Sequence, residues 1–457
     1  MHSRTRTARA DRLNLPALVS IMLGVIVVTL DISLTSTAIP SIAASLAVPP
    51  AQLIWVINIY YLAVVAALLP LGALGEIHGH RRVFLGGLLV FALGALCSGL
   101  ASSLWALMAG RAVLGLGAAA VSATTPAMIR ALYPPERLGR GLGLYAMVVG
   151  IAFTVGPTAT SAVLAAVDWP WLYWMSAPVA LLALGLGIFY LPETEPNIRR
   201  FDTRAAALCA ATFACLLLAI AGAAHLGWLP VAAAVSGALL FGYLLRLREA
   251  KQAAPLLAVD LFQIPVFALS AVTASFAFAV QGLVFVVLPF LLMFNMGYSQ
   301  VEAGLLITPW PAALAFMTLI APRLAERVKP GLLGAVGLAI LAAGLCLVAT
   351  MPATPSIYSI AWRLWLCGVG FGLFQSPNMV ALMSSAPKNR SGGASGILAA
   401  SRLLGQSIGA AAVAFCLTTW PTQGVATALW LGMALALLGS LASLLRLLPS
   451  VAQRAAA

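Results

Sequence analysis

Charge is what this 457-residue sequence has least of: only 8% of its residues are charged, and just 12 are acidic. With 62% hydrophobic residues and a mean hydropathy of +1.03, the chain cannot hide its apolar surface in one water-facing core, so lipid is its main solvent. It also lacks any polar stretch long enough for a separate soluble domain. Cysteine is sparse: Cys97, Cys209, Cys215, Cys346, Cys367 and Cys416 lie within apolar runs without CxxC spacing, which reads as buried thiols rather than a metal site. The four histidines are scattered. No G-x-x-x-x-G-K-[ST] occurs, which excludes ATP hydrolysis on this chain as an energy source. No nucleophile–base pair stands out, so neither enzyme chemistry nor a cofactor is expected. The net charge of +13 is dispersed over many short loops, not gathered on one face as nucleic-acid binding requires.

What is present is a succession of apolar runs of roughly 20 residues, the length that spans a bilayer. Fourteen helices are expected, centred near Val27, Leu62, Val90, Gly117, Ala152, Leu182, Thr212, Ala234, Val280, Pro311, Ile340, Gly370, Gly409 and Leu435. The first follows a tail bearing Arg4, Arg6, Arg9 and Arg12. It is span-length and no small-residue cleavage site follows it, so it reads as a retained helix, not a signal peptide. Taken alternately, the loops split by charge. One set holds Arg81 and Arg82, Arg137 and Arg140, Arg199 to Arg204, Arg246 to Lys251, Arg323 to Lys329, and Lys388 with Arg390. The other set, around Ser45, Ser102, Asp168, His225, Tyr298, Pro352 and Pro421, holds no Lys or Arg. By the positive-inside rule both termini are cytoplasmic.

Landmarks recur at an offset of about 250 residues. Leu74-Gly75-Glu76 answers Leu324-Ala325-Glu326, Arg111 answers Arg363, Pro126 answers Pro377, Pro40 answers Pro289, and Asp31 meets Gln281. Two six-helix halves with two extra central helices account for this pattern. Parallel repeats of this kind hold substrate between the halves near the membrane midplane and alternate access by rocking one half against the other.

These residues resemble the major facilitator superfamily, and within it the fourteen-span drug:proton antiporter branch. The loop after span two, Gly72-Ala73-Leu74-Gly75-Glu76-Ile77-His78-Gly79-His80-Arg81-Arg82, is similar to the superfamily's G-x-L-a-D-r-x-G-r-r-r signature, with Glu for Asp, Ile for the first Arg and His80 for another basic residue. Leu30-Asp31, Ala38-Ile39-Pro40, Trp55 with Tyr60, Arg111 with Gly115 and Gly117, and Gly370 to Asn378 add to the match. Gly150 and Gly156-Pro157 are similar to the antiporter signature G-x-x-x-G-P-x-x-G-G, but Thr160-Ser161 stand where its last glycines belong. The resemblance implies a gating latch at Gly72, Glu76, Gly79, Arg81 and Arg82, with Glu326 as a reduced counterpart. It further implies a cavity lined by spans one, four, nine and twelve, which nominates Thr35, Ser122, Phe278, Gln281, Phe285, Phe374, Gln375 and Asn378, with Tyr60 as a neighbour and Arg363 as a structural or substrate-orienting group.

Asp31 carries the chemistry. It stands about seven residues from the expected outer end of its helix, and Arg111 is a similar distance from its own, so at about 1.5 Å per residue they share a depth and can meet. An intramembrane carboxylate is costly unless paired or solvated and by default marks a proton relay; the alternative is a permanent ion pair locking two helices. Arg111 scarcely loses its proton and would tune Asp31 or orient other groups. Of the remaining acids, Glu302 stands three residues after Ser299 in capping-box spacing, and Asp260 lies on an interfacial approach.

The expectation is thus an all-α polytopic protein of the major facilitator fold. Its parts are a cytoplasmic tail (1–14), a six-helix bundle (15–192), linkers with two extra helices (193–257), a second bundle (258–448) and a cytoplasmic tail (449–457). It would be a monomer in the bacterial inner membrane exporting small amphipathic or cationic compounds against protons, without cofactor, metal or nucleic acid. Export of one specific metabolite, such as an amino acid or siderophore, is the alternative on the same machinery, and a receptor or scaffold that has lost transport is the alternative from another class.

Overall fold

The computed structural model describes residues 14–134, 138–194, 202–222, 227–249, 259–325, 327–352, 354–387 and 391–448. Glu326, the arginines of the N-terminal tail, and the basic residues Arg137, Arg199, Arg200, Lys251, Lys388, Arg390 and Arg454 lie outside them. Every regular element among the described residues is helical. In chain order they are α1 (Leu15–Leu46), α2 (Pro50–His78), α3 (His80–Gly99), α4 (Leu104–Leu132), α5 (Leu138–Ala166), α6 in two pieces (Pro170–Trp174 and Ser176–Tyr190), α7 (Thr203–Gly222) and α8 (Trp228–Glu249). A short turn at Val259–Gln263 leads into α9 (Pro265–Phe290), α10 in two pieces (Gln300–Ile307 and Pro309–Ala325), α11 (Pro330–Ala349), α12 (Ile357–Ser385), α13 (Ser391–Thr419) and α14 (Gly424–Leu445). Each centre expected from hydropathy falls inside one of them. Among the described residues thirteen spans are long and apolar enough to cross a membrane, and α7 adds a shorter apolar stretch, Thr203–Ala219.

Lipid offers the backbone no hydrogen-bond partner, so each segment satisfies its own. The ends are handled by side chains. Asn14 Oδ1 accepts from the Ala17 amide at 3.3 Å, Ser103 and Ser356 cap α4 and α12, and Ser299 with Glu302 forms the capping box its spacing announces. Pro40 does not end α1: the helix continues to Leu46 and closes on Ala47 at φ 51°, because an internal proline is tolerated where packed neighbours absorb the freed carbonyl. Asp31 therefore lies near the middle of a 32-residue helix, deeper than the roughly seven residues from its outer end that the sequence suggests. The α2–α3 turn is a single residue, Gly79, at φ 94°, where a Cβ would also press on the Thr194 carbonyl at 3.2 Å; only glycine fits that corner.

In the first half, α4 packs on α3 and α2, and α1 on α5 and α6. In the second, α9 packs on α13 and α14, α11 on α12 and α14, and α10 on α12. The halves meet along three seams, α2–α13, α5–α10 and α1–α9. The extra helix α7 lies on α2 and α13, with α8 packed on α7 and mostly facing outward. Arg81, Arg82, Arg130, Arg246, Arg248, Arg323, Arg327 and Lys329 all fall at the end of the bundle where α1 begins, here called the basic side.

Helices in lipid gain little from expelling water and associate through close packing, which small residues permit. A Cβ on Gly117 would collide with the Phe91 backbone, one on Gly337 would stand 2.6 Å from the Gly370 carbonyl, and one on Gly304 would collide with the Ser161 side chain. That last contact joins the halves on the side away from the basic loops, beside the Thr158 and Thr308 hydroxyls, 2.6 Å apart. Gly117→Ala should lower stability by about 1–3 kcal/mol through overpacking, whereas Gly86→Ala, whose Cβ would meet nothing within 4 Å, should leave it unchanged or slightly raised. Thermal unfolding of the detergent-solubilised protein compares the two.

Candidate functional site

Asp31 and Arg111 meet. Arg111 Nη1 donates to Asp31 Oδ2 at 2.5 Å, with the two side chains 2% exposed or less. The guanidinium also reaches the Val56 carbonyl through Nε at 3.4 Å and lies over the Tyr60 ring at 4.4 Å and the Tyr173 ring at 5.7 Å. Thr35, one turn from Asp31, donates to the Tyr173 hydroxyl at 3.3 Å. One arginine thus ties α1, α2, α4 and α6 together through a carboxylate, a carbonyl and two aromatic faces, and the rings shield the charge pair from solvent while contributing cation–π attraction. Tyr60 Oη is buried without a partner. A buried pair of this kind is worth little against a well-packed apolar replacement, but removing one partner is expensive.

Beside this cluster a small enclosed cavity opens between the halves, with room for about one water molecule. Its polar wall is Ser33 and Ser36 on α1, Tyr61 on α2, Gln281 on α9 and Gln406 on α13, with Phe285 as the main apolar contact. Of the nominated residues, Gln281 and Phe285 line it, while Thr35 and Tyr60 belong to the ion-pair cluster. Phe278 and Phe374 pack on Phe371, at 5.6 and 5.8 Å between ring centroids, inside the second half. Ser122 and Gln375 are half-buried off the cavity wall.

Two more of the nominated residues lie away from the cavity. Arg363 does not face Gln281. It turns back along its own helix, donating to the Ser359 carbonyl at 2.7 Å and to the Ser359 hydroxyl, and lies over the Trp362 ring at 4.7 Å; with no acid among the described residues paired to it, it takes these local partners and leaves Nε buried without one. Asn378 lies off the cavity wall and supports the basic end of the second half. Its amide donates to the Ser270 carbonyl at 3.1 Å and accepts from Arg446 Nη1 at 2.8 Å.

The loop after α2 docks within its own half. Arg81 donates to the Ile188 carbonyl at 2.5 Å and to Glu193 at 3.4 Å, and its amide donates to Thr194 Oγ1. Gly72 is half-buried, while Glu76 and Arg82 are exposed and pair with none of the described residues. In the antiporter-like segment Gly150 and Pro157 are buried, and Gly156 admits the Ser33 side chain where a Cβ would stand. Gly304 on the facing helix supplies the room that Ser161 does not.

The structure adds Tyr61, Tyr173, Arg402, Gln406 and Arg446. Tyr173 carried a signal, since an aromatic residue near the start of α6 sits where two charges need cover; the others depend on helix rotation, which hydropathy does not encode. No cluster of metal-ligating side chains occurs among the described residues.

With this geometry in place, comparison with known proteins is informative. The model of the Major Facilitator Superfamily matches residues 21–410. The "Uncharacterized transporter YebQ" of Escherichia coli K12 is 41% identical over 446 residues, covering 96% of this chain and 98% of that one. The "Multidrug resistance protein Stp" of Mycobacterium tuberculosis is 30% identical over 419 residues, covering 90% of this chain and 77% of its own. A POT family transporter solved with a thioalcohol-conjugated peptide shares the fold at a TM-score of 0.71 and 14% identity, covering 95% of this chain and 96% of that one.

Asp31→Asn leaves the Arg111 charge buried and unpaired, so it should cost about 3–5 kcal/mol, and the double variant Asp31→Asn/Arg111→Gln should recover much of the loss. A double-mutant cycle on thermal unfolding measures both; equal destabilisation by the single and double variants would rule out the pair as the source.

Proposed function

This chain belongs to the Major Facilitator Superfamily, and from that membership we propose that it exports small amphipathic compounds in exchange for protons. Its setting is a bacterial inner membrane, with both termini cytoplasmic and the monomer as the working unit. The observation that carries the reading is the buried Asp31–Arg111 pair, since Asp31 is a carboxylate at mid-helix joined to a cation that holds its proton throughout. Intramembrane acids of this kind mark proton pathways. When the halves part and water reaches α1, Asp31 takes a proton and releases Arg111; when the site closes to the other side it gives the proton up and the pair re-forms. The name of the Mycobacterium tuberculosis relative supports drug export as the direction of traffic.

The moving bodies are the bundles 15–192 and 258–448, rocking about the three seams. In the state described the α5–α10 seam is closed on the side away from the basic loops, while Glu76 and Arg82 on the basic side form no ion pair among the described residues. Both facts agree with a conformation that opens next toward the basic side.

Two measurements test this. In proteoliposomes, adding an amphipathic dye or biocide should drive proton movement by the wild type. The folded double variant Asp31→Asn/Arg111→Gln should lose it more than tenfold while still binding the dye. Unchanged coupling in that variant would eliminate Asp31 as the proton carrier. In a cysteine-free background, Thr158→Cys with Thr308→Cys should crosslink and arrest transport, and reduction should restore it.

A further inference from the structure

Gln406 on α13 is 2% exposed, donates from Nε2 to Gln281 Oε1 at 2.9 Å, and keeps its own Oε1 without a hydrogen-bond partner. A buried acceptor left unpaired is costly, and native proteins seldom keep one without a use. Both glutamines line the cavity between the halves and face Ser33, Ser36 and Tyr61 across it. Their placement is built into the packing. A Cβ on Gly282 would overlap the Gln406 backbone, and Cβ atoms on Gly405 and Gly409 would press on the carbonyls of Ser275 and Ala279. With α9 and α13 in backbone contact on both sides of Gln406, the amide pair is held rigidly by the second half, as a recognition element needs.

The charge around it is as informative. No Asp, Glu, Lys, Arg or His lines the cavity. Asp31, two residues before Ser33, is engaged by Arg111 and does not reach the wall. A positive charge stands close by: Arg402, one turn before Gln406, is half-buried, pairs with no acid among the described residues, and exerts its field on Tyr60 and Tyr61. A cation brought here would lose its hydration, find no counter-charge and meet repulsion. A neutral group bearing an N–H or O–H would find a waiting acceptor.

We propose that Gln406 determines specificity: its free Oε1 accepts a hydrogen bond from an amide or hydroxyl of the substrate, so this transporter takes neutral, hydrogen-bonding amphipathic compounds in preference to permanent cations. The closed cavity holds about one water molecule, so the substrate enters when the first half moves away from the amide pair. The proposal deepens the export reading and rests on it for transport, but not for binding.

The test uses the full chain in detergent for binding and in proteoliposomes for transport. The probes are a fluorescent polycyclic primary carboxamide, its N,N-dimethyl amide, the matching carboxylate, and ethidium as a permanent cation. Wild type should bind the carboxamide about fivefold to tenfold more tightly than the dimethyl amide, the range one neutral hydrogen bond supplies. Gln406→Leu, and Gln406→Met as a second apolar variant should the first not fold, should abolish that preference while leaving the dimethyl amide within about twofold. Gln406→Glu should shift preference toward ethidium. Equal weakening toward both amides, or a wild type that favours ethidium or shows no preference for the carboxamide, overturns the proposal. Preference for the carboxylate overturns it in favour of Arg402. The expected binding preference without transport overturns the export reading and leaves Gln406 as a recognition residue.

Discussion

Two helices in a bilayer have no water to expel from between them, so they hold together only as closely as their side chains let their backbones approach. That constraint organises this molecule. Gly117 against Phe91, Gly337 against Gly370, Gly282 against Gln406 and Gly304 against Ser161 are points where one added carbon would force a pair of helices apart. Each fixes a rotation as well as a distance, and rotation decides which polar side chains turn inward. Gln406 faces Gln281 because Gly282 lets α13 come in, and Ser33 enters the space left by Gly156.

On this frame the two halves, built from related sequences, handle polarity differently. The first concentrates it in a buried ion pair wrapped by two tyrosines and a carbonyl. The second has no acid at that depth. It places an amide pair at the cavity and an arginine, Arg446, at its basic end, held by Asn378, Ser270 and Ser443. If Asp31 carries the proton and Gln406 reads the substrate, as proposed, the two tasks fall to opposite walls of one space, and a change in either half would alter one without rebuilding the other.

Much of this was legible in the residues alone. All fourteen helix centres, the capping box at Ser299 and the meeting of Asp31 with Arg111 follow from hydropathy, cap spacing and the cost of isolated charge. What the repeat suggested but did not secure is the partner of each polar group. Arg363 occupies the position that answers Arg111, yet without a carboxylate opposite it folds back on Ser359 and Trp362. Asn378 lies in a family-like segment and serves Arg446 instead of the cavity. In each case the deciding information is which face of a helix points where, a tertiary property carried by a few glycines and invisible to composition.

The hairpin of α7 and α8 lies over one seam only. α7 touches α2 and α13, one helix from each half, while the α5–α10 seam has no such cover among the described residues. Acyl chains are thereby screened from the α2–α13 seam but not from the α5–α10 seam, giving the protein a covered and an uncovered flank in the plane of the membrane.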